Sequence, residues 1–227
     1  MKRNGHNKTG PRESANGLTF VEVLVSIAVV ALVAVLIIPF FARAKVHGGP
    51  NCVSNLKQIG LAMRMWSNDH DDKFPWQVSS ETNGTLEFAE SPAVFRHFLA
   101  VSNELTSPKV LACSSDKKIS RESDWGKLNN AHLSYVVGLD SNEALPQTIL
   151  SGDRNIIGGV VASNGIVRFG STNEAGWTQD MHKGAGNIGL GDGSAHQVTV
   201  NGLRKQIQSA LLSTNVEALR FSVPKPK

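Results

Sequence analysis

The chain has 227 residues, 41% of them hydrophobic and 19% charged, which is typical of one folded domain with a core of its own. Its net charge of +4 is uneven, because residues 1–17 contain four Lys or Arg and a single acid. The rest of the chain is therefore nearly neutral, which argues against nucleic acid as a partner.

A basic leader is followed by a long apolar run. Residues 23–42 form a stretch of 20 residues without a charge, closed by Arg43. As a helix this stretch would rise about 30 Å, the thickness of the hydrocarbon core of a bilayer, so it predicts a single membrane-spanning helix. It is too long for the apolar part of a cleaved secretory signal. Because positive charge tends to remain in the cytoplasm, we expect the N-terminus inside and the body outside.

Glu22 stands immediately before this run. A carboxylate in a membrane helix is unfavourable and normally has a partner, which makes Glu22 a candidate functional group. A plain single-pass anchor is the alternative interpretation. It explains the length of the run but not the acid.

Residues 17–22, GLTFVE, resemble the processing site of type IV prepilins and type II secretion pseudopilins. The resemblance implies that a prepilin peptidase cuts between Gly17 and Leu18, and that the new N-terminus at Leu18 is methylated. It also implies that Glu22 pairs with the freed amino group, its own or that of a neighbouring subunit, as helices pack into a filament. Pro39 lies where pilins often carry a helix-bending proline, so we expect a kink there.

A Gly-Gly-Pro sequence ends the first helical pattern. We expect a helix over 18–46, a break at 47–50 and a second helix over 51–68, in which apolar residues recur every three or four positions. This second segment resembles the early part of pseudopilin-like proteins of the H-X9-DG type. So do the sequences ACSSD at 112–116 and LSYVVGLD at 133–140.

The two cysteines, Cys52 and Cys113, form neither a CxxC motif nor a zinc-type cluster. One disulfide is expected if this part of the chain is on an oxidising side. Two buried free thiols are the alternative.

His182, nine further residues and Asp192-Gly193 fit the H-X9-DG pattern. The Asp-Gly pair lies between two alternating segments, which predicts a β-hairpin that His182 leads into. His182 is expected to be structural, with metal ligation beside Asp192 or Asp180 as the alternative. Asp153 has no spacing that would connect it with this motif. No cofactor is expected, although the resemblance leaves calcium open, because pseudopilins often bind it in a C-terminal loop.

The remaining segments predict a small sheet with few helices. We expect a short helix over 91–101, a loop over 149–159, a final helix over 202–213 and a loose tail over 222–227. Strands are expected over 110–113, 133–139, 165–169, 187–190 and 195–200. The sum is a pilin-like α+β fold, in which a long N-terminal helix, membrane-spanning in its first half, packs on a small, mainly antiparallel sheet.

These elements and the resemblance together predict an organisation and a function. Residues 1–17 would be a cytoplasmic leader, 18–46 a transmembrane and polymerisation helix, and 47–227 a periplasmic globular domain. The resemblance implies a structural subunit of a type IV pilus or type II secretion pseudopilus, held in a bacterial inner membrane before it assembles with other such subunits. A minor, tip-located module that binds a secreted substrate, a surface or a polysaccharide is the alternative. Without a catalytic motif, the chain is expected to be a substrate of prepilin peptidase and not an enzyme.

Overall fold

The computed structural model describes residues 19–41, 50–172 and 174–225, apart from the side chains of residues 34–41 and 50. The chain divides into two units, Met1–Lys45 and Val46–Lys227. The first unit contains helix α1 (Phe20–Phe41), and the second contains every other helix and strand of the described residues.

Helix α1 has 22 residues and runs through Pro39. Among the described residues, no helix combines the length and the apolar character needed to span a membrane. The predicted transmembrane helix over 18–46 is therefore wrong. The inner-membrane location, with its cytoplasmic leader and periplasmic body, depends on that helix and is wrong with it.

Helix α2 (Pro50–Asn68) begins at a proline, whose fixed φ suits a first helical position. Its predicted apolar face is buried, since five side chains are at most 3% exposed: Cys52, Leu56, Ile59, Met63 and Trp66. Residues 42–49 lie outside the described part of the chain, and most of the predicted break at 47–50 lies there with them. The long N-terminal helix of the predicted pilin-like fold is not found among the described residues, whose helices α1 and α2 have 22 and 19 residues.

The strands form one large and one small sheet. They are β1 (Tyr135–Gly138), β2 (Ile149–Asp153), β3 (Ile156–Ile157), β4 (Val160–Val161), β5 (Ile166–Gly170), β6 (Gly176–Trp177), β7 (Gly186–Leu190), β8 (Ala195–Val198) and β9 (Ala218–Ser222). Seven of them lie in the order β4-β5-β9-β1-β2-β7-β8, and β3 pairs with β6. Every neighbouring pair is antiparallel, which confirms the predicted α+β class with an antiparallel sheet.

Two further helices are α3 (Phe95–Ala100) and α4 (Val200–Thr214). Tyr135 and Val137 of β1 pack in a core with α2, whereas Val136 packs in a second core with α4. Because side chains alternate across a strand, α2 and α4 cover opposite faces of the sheet. Strands β1, β2 and β7 are consequently buried along their whole length.

Several local predictions differ from the structure. Residues 110–113 do not form a strand; Pro108–Leu111 is a 3-10 helix that begins at a proline and is capped by Ser107. The predicted loop over 149–159 contains β2 and β3. The predicted loose tail begins inside β9. Other 3-10 helices are Pro75–Gln77, Ser80–Thr82, Leu86–Phe88, Trp125–Lys127 and Asn130–His132.

Candidate functional site

Thr19 and Glu22 cap the first turn of α1. The side chain of each residue accepts a hydrogen bond from the backbone N–H of the other. The N–H and the hydroxyl of Thr19 donate to Oε2 of Glu22 at 2.7 and 2.8 Å, and the N–H of Glu22 donates to Oγ1 of Thr19 at 3.4 Å. This arrangement is a capping box, with Thr19 before the helix and Glu22 at its third position. The hydrogen bonds from the Thr19 backbone and side chain lower the pKa of Glu22.

The capping box gives Glu22 a local role that sequence reasoning missed. The signal was available, because Thr-x-x-Glu before an apolar run is a known mark of a helix start. The acid therefore has two explanations, an intrachain cap and the pairing with an amino group that the resemblance implies. Only the first is visible in a single chain.

The apolar side chains of α1 are exposed on all sides of the helix. Phe20 is 80% exposed and Val30 is 67% exposed. The described side chains of the helix include eight more large hydrophobic residues that are at least 43% exposed: Val21, Val23, Leu24, Val25, Ile27, Val29, Leu32 and Val33. An ordinary surface helix of a globular protein has one apolar stripe and a polar opposite face. Helix α1 has no such polar face over its described side chains.

Two predicted processing residues, Gly17 and Leu18, lie outside the described residues. Pro39 lies inside α1, two residues before its end, but its side chain is not described. Cleavage, methylation and the kink therefore stay predictions.

In the body, Cys52 and Cys113 are joined by a disulfide, with 5.2 Å between their Cα atoms. Cys52 lies in the first turn of α2, and Cys113 follows the 3-10 helix Pro108–Leu111. Both residues are buried in the core that packs on α2. The disulfide thus ties the start of α2 to the loop that leads into β1.

His182 lies beside this disulfide, in the turn that leads into β7. Its Nε2 is 3.4 Å from Sγ of Cys113, 3.2 Å from Oδ2 of Asp153 and 3.0 Å from Nδ2 of Asn187. The backbone N–H and Nδ2 of Asn187 donate to the same Asp153 oxygen at 2.7 and 2.9 Å. All of these side chains are at most 2% exposed. His182 is therefore part of a buried polar cluster together with Cys113, Asp153 and Asn187.

Burial dominates the electrostatics of this cluster. Removal from water raises the pKa of Asp153, against the opposing effect of the hydrogen bonds from His182 and Asn187. The other carboxylate oxygen, Oδ1, is buried and has no hydrogen-bond partner among the described residues. A buried acceptor without a donor is unfavourable, so this oxygen needs an explanation.

The alternative prediction for His182, metal ligation, placed it beside Asp192 or Asp180, whereas the structure places Asp153 beside it. Asp180 pairs with Lys118 at 2.7 Å, and Asp192 accepts from the N–H of Ser194 at 2.8 Å. Asp153 was not predicted as a partner of His182, because its spacing along the chain does not connect it with the H-X9-DG motif. The pairing of β2 with β7 brings it there, and no local sequence signal reports that pairing.

The Asp192-Gly193 end of the motif is a turn that contacts α2. Gly193 has φ +81, the left-handed region that glycine tolerates best. The carbonyl of Asp192 accepts from Nη1 of Arg64 at 2.9 Å, and Gly60 approaches the backbone of Gly193. The two ends of the H-X9-DG motif therefore hold α2 at two points, one at the disulfide and one in the middle of the helix.

A buried ion pair supports the loop around Cys113. Arg154 Nη2 donates to Oδ1 of Asp116 at 2.7 Å, and the side chains are 12% and 1% exposed. Ser134 connects this pair with the disulfide, since its hydroxyl donates to Asp116 and accepts from the N–H of Cys113.

Three side chains offer metal-ligand atoms within 4.8 Å of one another: Cys52, Cys113 and His182. In the structure the two sulfurs are bonded to each other, so neither is a thiolate. The calcium prediction has no residues assigned to it and stays a prediction.

Fold and site define the class of protein only coarsely: an α+β body fastened by one disulfide, and an apolar helix with an acid in its first turn. No protein-family model, curated protein or solved structure matches the chain. The resemblance to prepilins therefore depends on residues 17–22 and on the motifs of the body alone.

Proposed function

We propose that the chain is a structural subunit of a helical filament of the type IV pilus or type II secretion pseudopilus class. In this proposal prepilin peptidase cuts between Gly17 and Leu18, Leu18 is methylated, and α1 is the element through which subunits assemble. The observation that carries the proposal is the exposed apolar surface of α1, together with the carboxylate of Glu22 in its first turn.

The apolar surface of α1 supports assembly because its exposure to water is unfavourable and contact with another subunit would bury it. Scattered exposed hydrophobic residues are normal, but a contiguous apolar surface on a protein marks an interaction site. A helix that is apolar all round fits the centre of a bundle, where neighbours cover every side. Copies of α1 from other subunits supply such neighbours in a filament.

Glu22 supports the same proposal through its position and its remaining bonding capacity. Both donors of Thr19 bond one carboxylate oxygen, Oε2, and a carboxylate can accept several further hydrogen bonds. An amino terminus freed at Leu18 would offer a positive charge and N–H donors. A charge pair inside an apolar bundle sets the register of neighbouring helices, because a misplaced acid would be buried without a partner.

The cleavage is tested by mass spectrometry of the mature N-terminus. Co-expression with a prepilin peptidase should remove residues 1–17 and add a methyl group to Leu18. The variant Gly17→Ala should still be cut, whereas a large side chain at position 17 should block cleavage. An intact Met1 in the presence of active peptidase would overturn the proposal.

The two roles of Glu22 can be separated with three variants. Gln at the third helical position still completes a capping box, so Glu22→Gln keeps the cap and removes only the charge. Thr19→Val removes the cap and keeps the charge, and Glu22→Ala removes both. If the charge directs assembly, oligomer yield should be lost in Glu22→Gln and Glu22→Ala but kept in Thr19→Val.

The opposite pattern, with normal oligomers for Glu22→Gln and loss for Thr19→Val, would mean that Glu22 serves only as a cap. Cross-linked oligomers should be quantified against total cleaved protein. That ratio separates a failure of assembly from a failure of processing.

A further inference from the structure

A groove lined by exposed apolar and acidic side chains lies along the second half of α2. Its volume is about 510 Å³. Leu61 and Met65, which are one helical turn apart, line it and are 59% and 51% exposed. Exposed apolar side chains that are grouped together with charged ones are characteristic of surfaces that bind other proteins.

The groove carries an excess of negative charge. Three carboxylates line it, those of Asp69, Glu104 and Glu143, together with the guanidinium of Arg64. Arg64 donates to Glu143 at 2.8 Å, so Asp69 and Glu104 are left without a salt bridge within the described part of the chain. Oε2 of Glu104 is buried and has no hydrogen-bond donor among the described residues. The groove is therefore suited to a partner that brings positive charge and N–H donors.

Residues 117–121, here called the basic loop, have the complementary composition, Lys-Lys-Ile-Ser-Arg. All three cations are exposed. Lys118 pairs with Asp180, whereas Lys117 and Arg121 form no salt bridge with any residue that the structure describes. The basic loop thus offers two free cations and one apolar side chain, and the groove offers two free carboxylates and two exposed apolar side chains.

The basic loop is anchored near the start of α2, away from the groove. It follows Asp116, which is held by the buried pair with Arg154 and donates its N–H to the carbonyl of Cys113. The disulfide holds Cys113 at Cys52, in the first turn of α2, and Met65 lies about 20 Å further along the helix. No residue of the basic loop lines the groove of its own chain. The two surfaces are therefore separate parts of the body.

We propose that the basic loop of one copy of this chain docks in the groove of a second copy. The free cations of the loop pair with the free carboxylates of the groove, and Ile119 covers Leu61 and Met65. This inference rests on the proposed assembly into a filament, because it adds a contact between the bodies of the same subunits. Since the two surfaces differ, the contact is head-to-tail and propagates from copy to copy, as a filament requires.

A second copy is the occupant that the energetics of the contact favour. Exposed ion pairs are individually weak, so the groove would hold a free basic peptide poorly. Subunits that are joined through α1 meet at a high effective concentration, at which a weak contact between their bodies is populated. The contact then fixes the direction and the rotation of neighbouring bodies more than it adds affinity.

The experiment places a photoreactive benzoylphenylalanine at position 119 of the full chain. Labelled (¹⁵N) and unlabelled protein are mixed before oligomers form, in a mild detergent that covers α1, and are then irradiated. Peptides that join a labelled chain to an unlabelled one report contact between copies. We expect these mixed cross-links to map to Leu61 and Met65, and their yield to fall at high salt.

Charge reversal tests the pairing. Lys117→Glu/Arg121→Glu should lower the yield of mixed cross-links by at least about tenfold, because like charges then face each other. Asp69→Lys/Glu104→Lys should do the same, and all four changes together should restore the yield. Near-ultraviolet circular dichroism checks the fold of each variant.

Lys205→Glu/Lys225→Glu is the matched control. It makes the same change in net charge at two exposed positions outside both surfaces, and it should keep the wild-type yield. The proposal is overturned if position 119 cross-links to another surface or to none, if the fourfold variant does not recover, or if the control loses as much as the loop variant.

Mass spectrometry of the N-terminus in the same samples separates this contact from the proposed function. An intact Met1 in the presence of active peptidase, with mixed cross-links in the groove, would overturn the cleavage and support the contact. Cleaved protein that forms oligomers without cross-links in the groove would overturn the contact and leave the proposed function standing.

Discussion

Gly60 and Gly193 approach each other so closely that a Cβ on Gly60 would lie 3.0 Å from the Cα of Gly193. The carbonyl atoms of Gly193 are nearly as close, at 3.1 and 3.3 Å. These are backbone atoms, which cannot move aside as the end of a flexible side chain would. A methyl group on Gly60 would therefore fit only if the hairpin turn of the H-X9-DG motif moved away from α2 by a few tenths of an ångström.

We predict that Gly60→Ala destabilises the protein. Alanine gains about 1 kcal/mol of helix propensity, but forcing a methyl group into a packed contact costs about 1–3 kcal/mol. The expected net loss is about 1 kcal/mol in the free energy of unfolding, measured with urea. Leu61→Ala, at a position 59% exposed on the same helix, is the control and should change stability less. A more stable Gly60→Ala protein would show that the hairpin can shift away from α2.

Removing the disulfide should strongly destabilise the body. The bond joins residues 61 positions apart, and closing a loop of that size stabilises the folded state by about 4 kcal/mol in the chain-entropy model. We expect the double variant Cys52→Ala/Cys113→Ala to lose about this amount in urea unfolding. Wild-type protein reduced in the presence of a metal chelator should lose a similar amount. A loss below about 1 kcal/mol in both would contradict the prediction.

His97 should make stability depend on pH in the acid range. Burial lowers the pKa of His97 to about 4, and the ring lies against Thr85 and Trp76. The unfolded chain binds a proton near pH 6.5, so between about pH 6.5 and 4 the unfolded state carries more protons than the folded state. Stability should therefore fall as the pH drops through this window, by up to about 3 kcal/mol.

The variant His97→Gln should flatten the pH dependence of the free energy of unfolding over that window. His196→Gln, at an exposed position, is the matched control and should keep the wild-type slope. An unchanged slope in His97→Gln would rule out His97 as its source.

Two ion pairs of similar chemistry should differ strongly in their effect on stability. Arg154–Asp116 is buried, whereas Lys118–Asp180 has side chains 60% and 53% exposed. Arg154→Met leaves a buried carboxylate without its partner and should cost about 3–5 kcal/mol. Lys118→Met should cost less than about 1 kcal/mol. Restoration of stability in Arg154→Met by the second change Asp116→Asn would identify the uncompensated charge as the cause.

Periodicity predicted the second helix and the β7–β8 hairpin correctly, because both depend on contacts close in sequence. The apolar face of α2 and the Asp-Gly turn between β7 and β8 carry strong local patterns. The last helix, α4, was also predicted, within two residues at its start. These elements are the parts of the fold that local sequence patterns can predict.

Strand β2 and the predicted membrane helix are the two elements for which local sequence patterns gave the wrong prediction. The sequence of β2, Ile149–Asp153, contains Gly and Asp, which indicate a loop. Its hydrogen-bonded position between β1 and β7 and its burial in the sheet override that preference. The apolar run of α1 matched a membrane span in length and hydropathy, and the described helices do not provide one. Asp153 was missed for the same reason as β2, since only the sheet pairing brings it to His182.

The order of the strands decides when the body can be completed during synthesis. Strand β9 lies between β5 and β1, although it follows all the other strands along the chain. Until Ala218–Ser222 has emerged from the ribosome, β4 and β5 have no partner that connects them with β1, β2, β7 and β8. In the nascent protein, the edges of β5 and β1 that later pair with β9 are therefore unpaired. Unpaired edges of this kind can form hydrogen bonds with strands of other chains. A chaperone that covers exposed strands would act on this protein until β9 has emerged and paired with β5 and β1.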